Sequence, residues 1–408
     1  MMRGVFFLAA PLLAQTLTLA ELERRALERN PTVAQAEQSI AAAAGLAKQA
    51  GLYPNPVVAA SGEEVAAGPI IRGGEFGGGV RQRIVTAGKL GLDRRVAQQS
   101  MAITEEGARA QRQRVLNAVR RLYYQALSDQ FRVEIRSQLA GLAAESVKIT
   151  AELANIGQAD VPDQLAAEVE AQRAALELVD AEQRRERTWK QLAAVVNDPD
   201  LRPAPLEGDL EQFPRLDGEQ ALAAIYQQSP ELRAAEIGVR RAETALTRAR
   251  KEVIPDIQLS GGMRYNRKLL EVDMRPVGKE GFFDIGVELP IFNRNQGNVA
   301  AARAEVERAR LEVDRTRLEL KARLAETYRE YNTALLRADR LRQEMLPKAQ
   351  RAYELYLGNF RQLLAAYPLV LMTQRNLFQL RDAYVDALSE VWRTAVEIDG
   401  LLLGELWR

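Results

Sequence analysis

Two hydrophobic periods alternate along this chain. Leu19–Gly51 reads as helix, broken near Asn30-Pro31, and it stops at Tyr53-Pro54-Asn55-Pro56 because proline cannot continue a helix. Val57–Val65 and Glu75–Ile84 then read as strands around a Gly-rich loop, 66–74. No proline occurs between Leu90 and Asn155, which predicts a helix of about 65 residues, about 98 Å long. A turn at Gly157–Asp163 places Pro162 in the first turn of a helix that continues to Val196. Four prolines within Asp198–Pro214 mark a linker. The order then recurs: helix over Asp217–Val253, strands over Asp256–Asn266 and Phe282–Leu289, and helices over Gly297–Leu357 and Ala366–Leu403. Pro347 and Pro368 are positioned to kink or cap the last two.

The recurrence is visible residue by residue. Leu17–Gly62 aligns with Leu216–Gly261 at a constant offset of 199, pairing Asn30-Pro31 with Ser229-Pro230 and Pro56 with Pro255. A second block at an offset of 207 pairs Gly79-Val80 with Gly286-Val287. One supersecondary unit used twice divides the chain into a first repeat, 15–197, a linker, 198–215, and a second repeat, 216–408.

The long helices carry two apolar rows. Val306, Val313 and Leu320 form one, and Leu311 and Leu318 form another, about 140° away around the helix. Two seams fit a helix packed between two neighbours, as in a ring; an ordinary bundle accounts for them almost as well. In the strands, Ile257, Leu259, Met263 and Tyr265 alternate with Gln258, Ser260, Gly262 and Arg264. Likewise, Phe283, Ile285, Val287 and Leu289 alternate with Asp284, Gly286 and Glu288. Each strand has the roughly 9–11 residues that cross a bilayer at a tilt. Tyr53 and Phe292 fall at one rim, and Phe76, Tyr265 and Phe282 near the other. No run approaches the roughly 20 apolar residues of a transmembrane helix, so membrane entry would have to be by strands. Four strands leave open edges, which lipid forbids, so protomers must pool them; three chains give about twelve.

Composition narrows the function. The 408 residues are 27% charged with a formal net charge of +1, which makes no case for nucleic acid. There is no cysteine and no histidine, which removes disulfides, thiol chemistry and the commonest general base and metal ligand. No nucleophile–base pair or metal cluster is evident, so the chain reads as a non-enzyme with no cofactor. Arg3 followed by the apolar run Val5–Ala14 reads as a signal peptide, 1–14; the alternative is a short buried helix.

Particular segments carry a family resemblance. They are Ala50-Gly51-Leu52-Tyr53-Pro54-Asn55-Pro56, Gln82-Arg83-Ile84-Val85-Thr86-Ala87-Gly88-Lys89 and Leu289-Pro290-Ile291-Phe292-Asn293-Arg294-Asn295-Gln296-Gly297, with Gly157-Gln158-Ala159-Asp160 and Leu346-Pro347-Lys348-Ala349. The chain resembles the TolC-like outer-membrane efflux family, above all the branch serving resistance-nodulation-division (RND) pumps, including cobalt–zinc–cadmium-type outer-membrane subunits. The resemblance implies a mainly α fold with a small β part. It also implies a homotrimer whose 12-stranded outer-membrane β-barrel continues as a periplasmic α-helical barrel. The implied partners are a periplasmic adaptor, an inner-membrane RND-type pump and outer-membrane lipid.

In that family the hairpin tips form the entrance, and aspartates after the second tip glycine constrict it. Here the second tip reads Gly358-Asn359-Phe360-Arg361-Gln362-Leu363, without an acid; Asp160 and Asp163 follow the first tip glycine, Gly157, instead. The entrance candidates are therefore Gly157, Asp160, Asp163, Gly358, Arg361 and Gln362. The two aspartates can form a cation-attracting ring. They can equally cap and stabilise a helix start. Glu63-Glu64 reads as a strand-end or loop acid pair sooner than a metal site, and Arg264, Arg267, Lys268 and Arg275 as a solvated outer loop sooner than a contact with lipopolysaccharide. Trp189 and Trp392 read as packing residues. The expected function is a passive export channel; the alternatives are a soluble periplasmic coiled-coil scaffold or an adaptor.

Overall fold

The computed structural model describes residues 17–63, 74–155, 160–269, 275–362, 364–404 and 406. The segment 1–14 and Gly157 lie outside the described residues, as do Glu64, Leu363 and most of the loop 66–74. In chain order the elements are α1 (Leu19–Arg29), α2 (Pro31–Ala50), β1 (Val57–Glu63), β2 (Glu75–Ile84), α3 (Lys89–Asn155) and α4 (Val161–Val196). They continue with α5 (Gly218–Gln228), α6 (Pro230–Lys251), β3 (Ile257–Leu269), β4 (Pro276–Val287), α7 (Gln296–Arg340), a π-helical turn (Leu341–Met345), α8 (Leu346–Arg361) and α9 (Tyr367–Asp399). Two compact units result. One draws on Met1–Ala36, Ala108–Ser229 and Arg317–Arg408, the other on Glu37–Gly107 and Pro230–Thr316. Each takes chain from both sides of the linker, so the compact units cut across the sequence repeats.

The repeated helix breaks have a local cause. Thr18 caps α1 by accepting from Glu21 N, and Asp217 caps α5 by accepting from Glu219 N and Gln220 N. Both helices then stop before a proline, at Asn30 and Ser229, since the residue before proline is driven out of the α region. The long helix α3 has 67 residues, in keeping with its proline-free sequence. Pro347 does not end its helix. The π turn Leu341–Met345 immediately precedes it, and such a turn accommodates a residue that cannot donate its N–H.

The unit that holds the helix ends is cored by Leu22, Val115, Val119, Leu192, Val196 and Leu388, among others. The linker is packed rather than loose. Leu206 and Leu210 are buried, Tyr331 Oη donates to Pro214 O at 2.5 Å, and Trp392 Nε1 donates to Leu210 O at 3.0 Å. Trp392 also stacks on Tyr124 at 3.7 Å, while Trp189 lies in the core. Along α7 and into the π turn, Val306, Val313, Leu320, Thr327, Ala334 and Leu341 are all buried at a spacing of seven, whereas Leu311 and Leu318 are each 68% exposed. One seam is thus satisfied within the chain and the other is not.

The other unit holds a four-stranded antiparallel sheet of order β1-β2-β3-β4. The last strand begins at Pro276, earlier than the expected Phe282, and ends at Val287 rather than Leu289. Its Pro- and Gly-containing start lacks strand propensity. Cross-strand pairing with β3 supplies it instead, with Arg264 opposite Glu280, Tyr265 opposite Lys279 and a register shift between Asn266 and Leu269.

Candidate functional site: a two-faced sheet and two helical tips

Register assigns every strand residue to one of two faces. On the first, Val58, Val80, Ile257, Leu259, Met263, Phe283, Ile285 and Val287 form an apolar surface, and Val58, Met263, Phe283 and Ile285 are well exposed. On the second lie Ser61, Arg81, Gln258, Ser260, Arg264 and Asp284, with a polar cluster at the hairpin end. There Arg264 meets Glu75 at 2.8 Å, Glu280 at 3.2 Å and Glu63 at 3.7 Å, and the buried Asn266 donates to Glu75 at 2.8 Å. The Glu63 acid thus joins a guanidinium-centred cluster.

Glycines bring the backbones together on the polar face. A Cβ on Gly262 would lie 2.6 Å from Gly79 Cα and nearer still to Gly78 O, and Phe282 covers Gly262 and Gly79. Phe282 therefore belongs to the polar face, where it fills the gap left by glycine, and not to an aromatic rim. Phe76 and Tyr265 do pair, on the apolar face. Phe292, 90% exposed, and Tyr53 lie beyond the opposite strand ends.

The motif Gln82–Lys89 closes the helix end of the sheet. Asp256, just before β3, accepts from Thr86 N at 3.0 Å, from buried Lys89 Nζ at 2.9 Å and from Arg83 Nη2 at 2.6 Å. Burial pushes the Asp256 carboxyl up, but the Thr86 N–H, Lys89 and Arg83 outweigh it and hold the group down at about 2. Ala87 and Gly88 turn the chain here with positive φ.

The first tip leads into α4. Asp160 has N-cap geometry, yet its side chain makes no capping bond; its carbonyl accepts from Asp163 N at 3.0 Å and Gln164 N at 3.3 Å. Its carboxylate is exposed, while Asp163 is half-buried and acts on the Tyr367 hydroxyl. That hydroxyl has no hydrogen-bond partner among the described residues, and it is pushed up to about 12, first by burial and then by Glu170, Tyr353 and Asp163.

At the second tip, Gly358 lies inside the last turn of α8, and its position has open space for a side chain. The reversal falls later: Gln362 N donates to Gly358 O and Asn359 O, and Leu364 N donates to Asn359 O at 2.8 Å. Arg361 is half-exposed and reaches Glu145 of α3 at 2.8 Å, so the basic charge of this tip is already matched.

Pairs that the sequence did not disclose hold the hairpins together. Arg375 of α9 donates to buried Glu170 of α4 at 2.9 and 2.6 Å. Arg136 of α3 bridges Glu177 of α4 and Asp382 of α9. Burial raises Asp382, against the pull of Arg136 and Arg132. Phe360 and Tyr367 pack at 5.4 Å across the second tip. On the outside of this unit, Leu165, Val169, Leu176 and Val179 leave an exposed apolar seam on α4, bordering a groove of 840 Å³ shared with Ala144 and Val147 of α3. Among the described residues no helix is long and apolar enough to cross a membrane, and no acidic cluster is arranged to hold a metal ion.

The family model described as outer membrane efflux protein matches residues 22–198 and 221–403. The cobalt-zinc-cadmium resistance protein CzcC of Cupriavidus metallidurans is 27% identical over 330 residues, covering 80% of this chain and 74% of that protein. The outer-membrane channel OprN superposes with a TM-score of 0.77 at 17% identity, covering 95% of this chain and 90% of that one. VceC from Vibrio cholerae superposes with a TM-score of 0.77 at 17% identity, covering 95% and 96%. At these identities the two structures share the fold with this chain.

Proposed function

Because the chain belongs to the outer membrane efflux protein family, we propose that three copies form a passive export duct. It would cross the outer membrane, extend into the periplasm, and receive substrates from an inner-membrane RND-type pump through a periplasmic adaptor. The family consists of outer-membrane channels, so the soluble scaffold and the adaptor fall away. The duct performs no catalysis; the pump supplies the energy and most of the substrate selection. The resistance protein CzcC supports a metal cation as one cargo class.

One observation carries this reading: a sheet with one apolar and one polar face whose outer strands, β1 and β4, end it without partners among the described residues. In hydrocarbon an open edge leaves backbone groups unsatisfied at several kcal/mol each, so β4 of one copy must meet β1 of the next. Three copies close about twelve strands. The apolar face then meets lipid and the polar face lines the lumen. The exposed seams on α4 and α7 supply helix faces for neighbouring copies, which supports a closed ring of helices. The repeats 15–197 and 216–408, joined at 198–215 and preceded by a leader at 1–14, supply two strands each.

Asp160 and Asp163 form the cation-attracting part of the entrance, with Gly157, Gly358, Arg361 and Gln362 shaping the two tips. The uncommitted Asp160 side chain and the pairing of Arg361 with Glu145 support this, because together they leave the described tip residues acidic. Reconstitution into planar bilayers tests the function. Detergent-extracted protein should give discrete, long-lived conductance steps, whereas a water-soluble protein without conductance would overturn it.

A further inference from the structure

The chain leaves the sheet for its helices at the end where Ile84, Ile257 and Val287 lie, so this end is the periplasmic one in the membrane reading above. Two of those helices, α2 and α3, enclose a groove of 320 Å³ there. Ala47, Leu52 and Met101 supply its apolar lining, and Lys48, Arg94 and Gln98 its polar lining. Leu52 and Tyr53, on the way from α2 to β1, are 50% and 66% exposed.

A glycine seats the arginine. A Cβ on Gly51 would lie 2.9 Å from Arg94 Cδ and 3.3 Å from its Cβ and Cγ, so the arginine stem rests on bare backbone at the end of α2. The last turn of α2 carries Lys48, where a cation favours the helix dipole. That dipole does not account for Arg94, which stands in the second turn of α3. Both cations are exposed, and neither meets a carboxylate among the described residues. The nearby acids are engaged elsewhere. Asp93 holds Arg248 at 2.8 Å, Glu252 pairs with the same guanidinium, and Asp256 pairs with Arg83 and Lys89. The connections of α2 and α3 to the sheet, 51–56 and 85–88, carry no acid. Glu37 of α2 and Glu105 of α3 each stand eleven residues from the cation on their own helix, about 16 Å farther from the sheet.

The heights match a membrane boundary. Arg94 lies five residues into α3, about 8 Å from its start, and Lys48 lies two residues before the end of α2. The headgroup layer is about 5–8 Å deep on each side of the hydrocarbon. An exposed leucine and tyrosine at the sheet end, with two unmatched cations one step below, follow the order of acyl chain and phosphate in a leaflet.

We infer that this groove binds an anionic phospholipid of the inner leaflet of the outer membrane, with Lys48 and Arg94 on its phosphodiester and Leu52 and Tyr53 beside the start of its acyl chains. Charge complementarity selects the occupant: the groove offers two cations and no acid. The inference rests on the outer-membrane reading, and it assigns the periplasmic rim a headgroup preference that membrane insertion alone does not require.

Native mass spectrometry of the detergent-released oligomer tests it, with phosphatidylglycerol and the net-neutral phosphatidylethanolamine of the same chains as probes. The wild type should retain phosphatidylglycerol roughly tenfold better, the scale expected of two interfacial cations. The double variant Lys48→Gln, Arg94→Gln should lose that preference while keeping its oligomer, and Lys48→Arg should keep the preference. Gly51→Ala leaves both charges in place but unseats Arg94, so it should weaken the preference. Arg81→Gln, on the polar face of the sheet, should leave it unchanged. Equal retention of the two lipids by the wild type, or an undiminished preference in the double variant or in Gly51→Ala, would overturn the site. So would displacement of the preference by inorganic phosphate alone, which would make the ligand a free anion. Failure of the wild type to enter any lipid bilayer would overturn the membrane reading itself, and the site with it.

Discussion

Glu170 and Arg375 join α4 to α9 through two hydrogen bonds, and the two partners are unequally exposed: the carboxylate is buried, while the guanidinium keeps about half its surface in water. The pair therefore fails asymmetrically. Glu170→Gln strands only a guanidinium that water can serve, at a cost of about 1 kcal/mol. Arg375→Ala strands a buried carboxylate, at about 2–3 kcal/mol. Denaturant titration of both variants checks this; equal costs would contradict it.

Gly262 sits where β2 and β3 approach most closely. Gly262→Ala places a methyl group against the backbone of Gly78 and Gly79, which cannot move without unpairing the strands. Gly281, on the other face, has nothing nearer than 3.9 Å to the added carbon. Gly262→Ala should abolish the heat-stable oligomer on a gel, and Gly281→Ala should preserve it. Loss in both, or in neither, would refute the close approach.

The Asp256 junction predicts acid lability. Its carboxyl lies at about 2 in the folded chain against 3.8 ordinarily, so the folded state holds its proton more weakly than the unfolded state. The stabilisation is fully present above pH 3.8 and is lost as pH falls toward 2; it amounts to about 2 kcal/mol. Asp256→Asn should flatten stability against pH in that window. An unchanged acid limb would show that the junction is not responsible.

Tip charge should set ion preference. Asp160→Asn with Asp163→Asn should shift the zero-current potential in a salt gradient toward non-selectivity. Arg361→Gln should shift it the other way, because it frees Glu145. Identical potentials in all variants would remove the tips from the entrance.

Much of this architecture was legible because local rules and the repeat agreed. Asn30-Pro31 marked a real helix break, and strict alternation from Ile257 to Tyr265 gave the faces of β3, whereas the second break, at Ser229-Pro230, falls inside the single helix expected over Asp217–Val253. The start of β4 was not legible, since Pro276, Gly278 and Gly281 argue against a strand until Arg264 and Tyr265 pair with them. Phe282 was placed at a rim with the strand read as starting there, whereas β4 starts at Pro276; only the two glycines beneath Phe282 show why it turns inward. At the tips, Arg361 read as an unmatched base, and its partner Glu145 lies 216 residues earlier. The break at Gly358 was expected one turn too soon, because α8 runs on to Arg361.

The central claim is that β1 of one copy pairs with β4 of the next until three copies close. The chain has no cysteine, so single engineered pairs report without background. A panel pairing Val58→Cys or Ala60→Cys with Phe283→Cys or Ile285→Cys should, on oxidation in membranes, give covalent dimers and trimers and nothing larger on a non-reducing gel. Monomers throughout the panel, or a ladder continuing past three, would contradict the account.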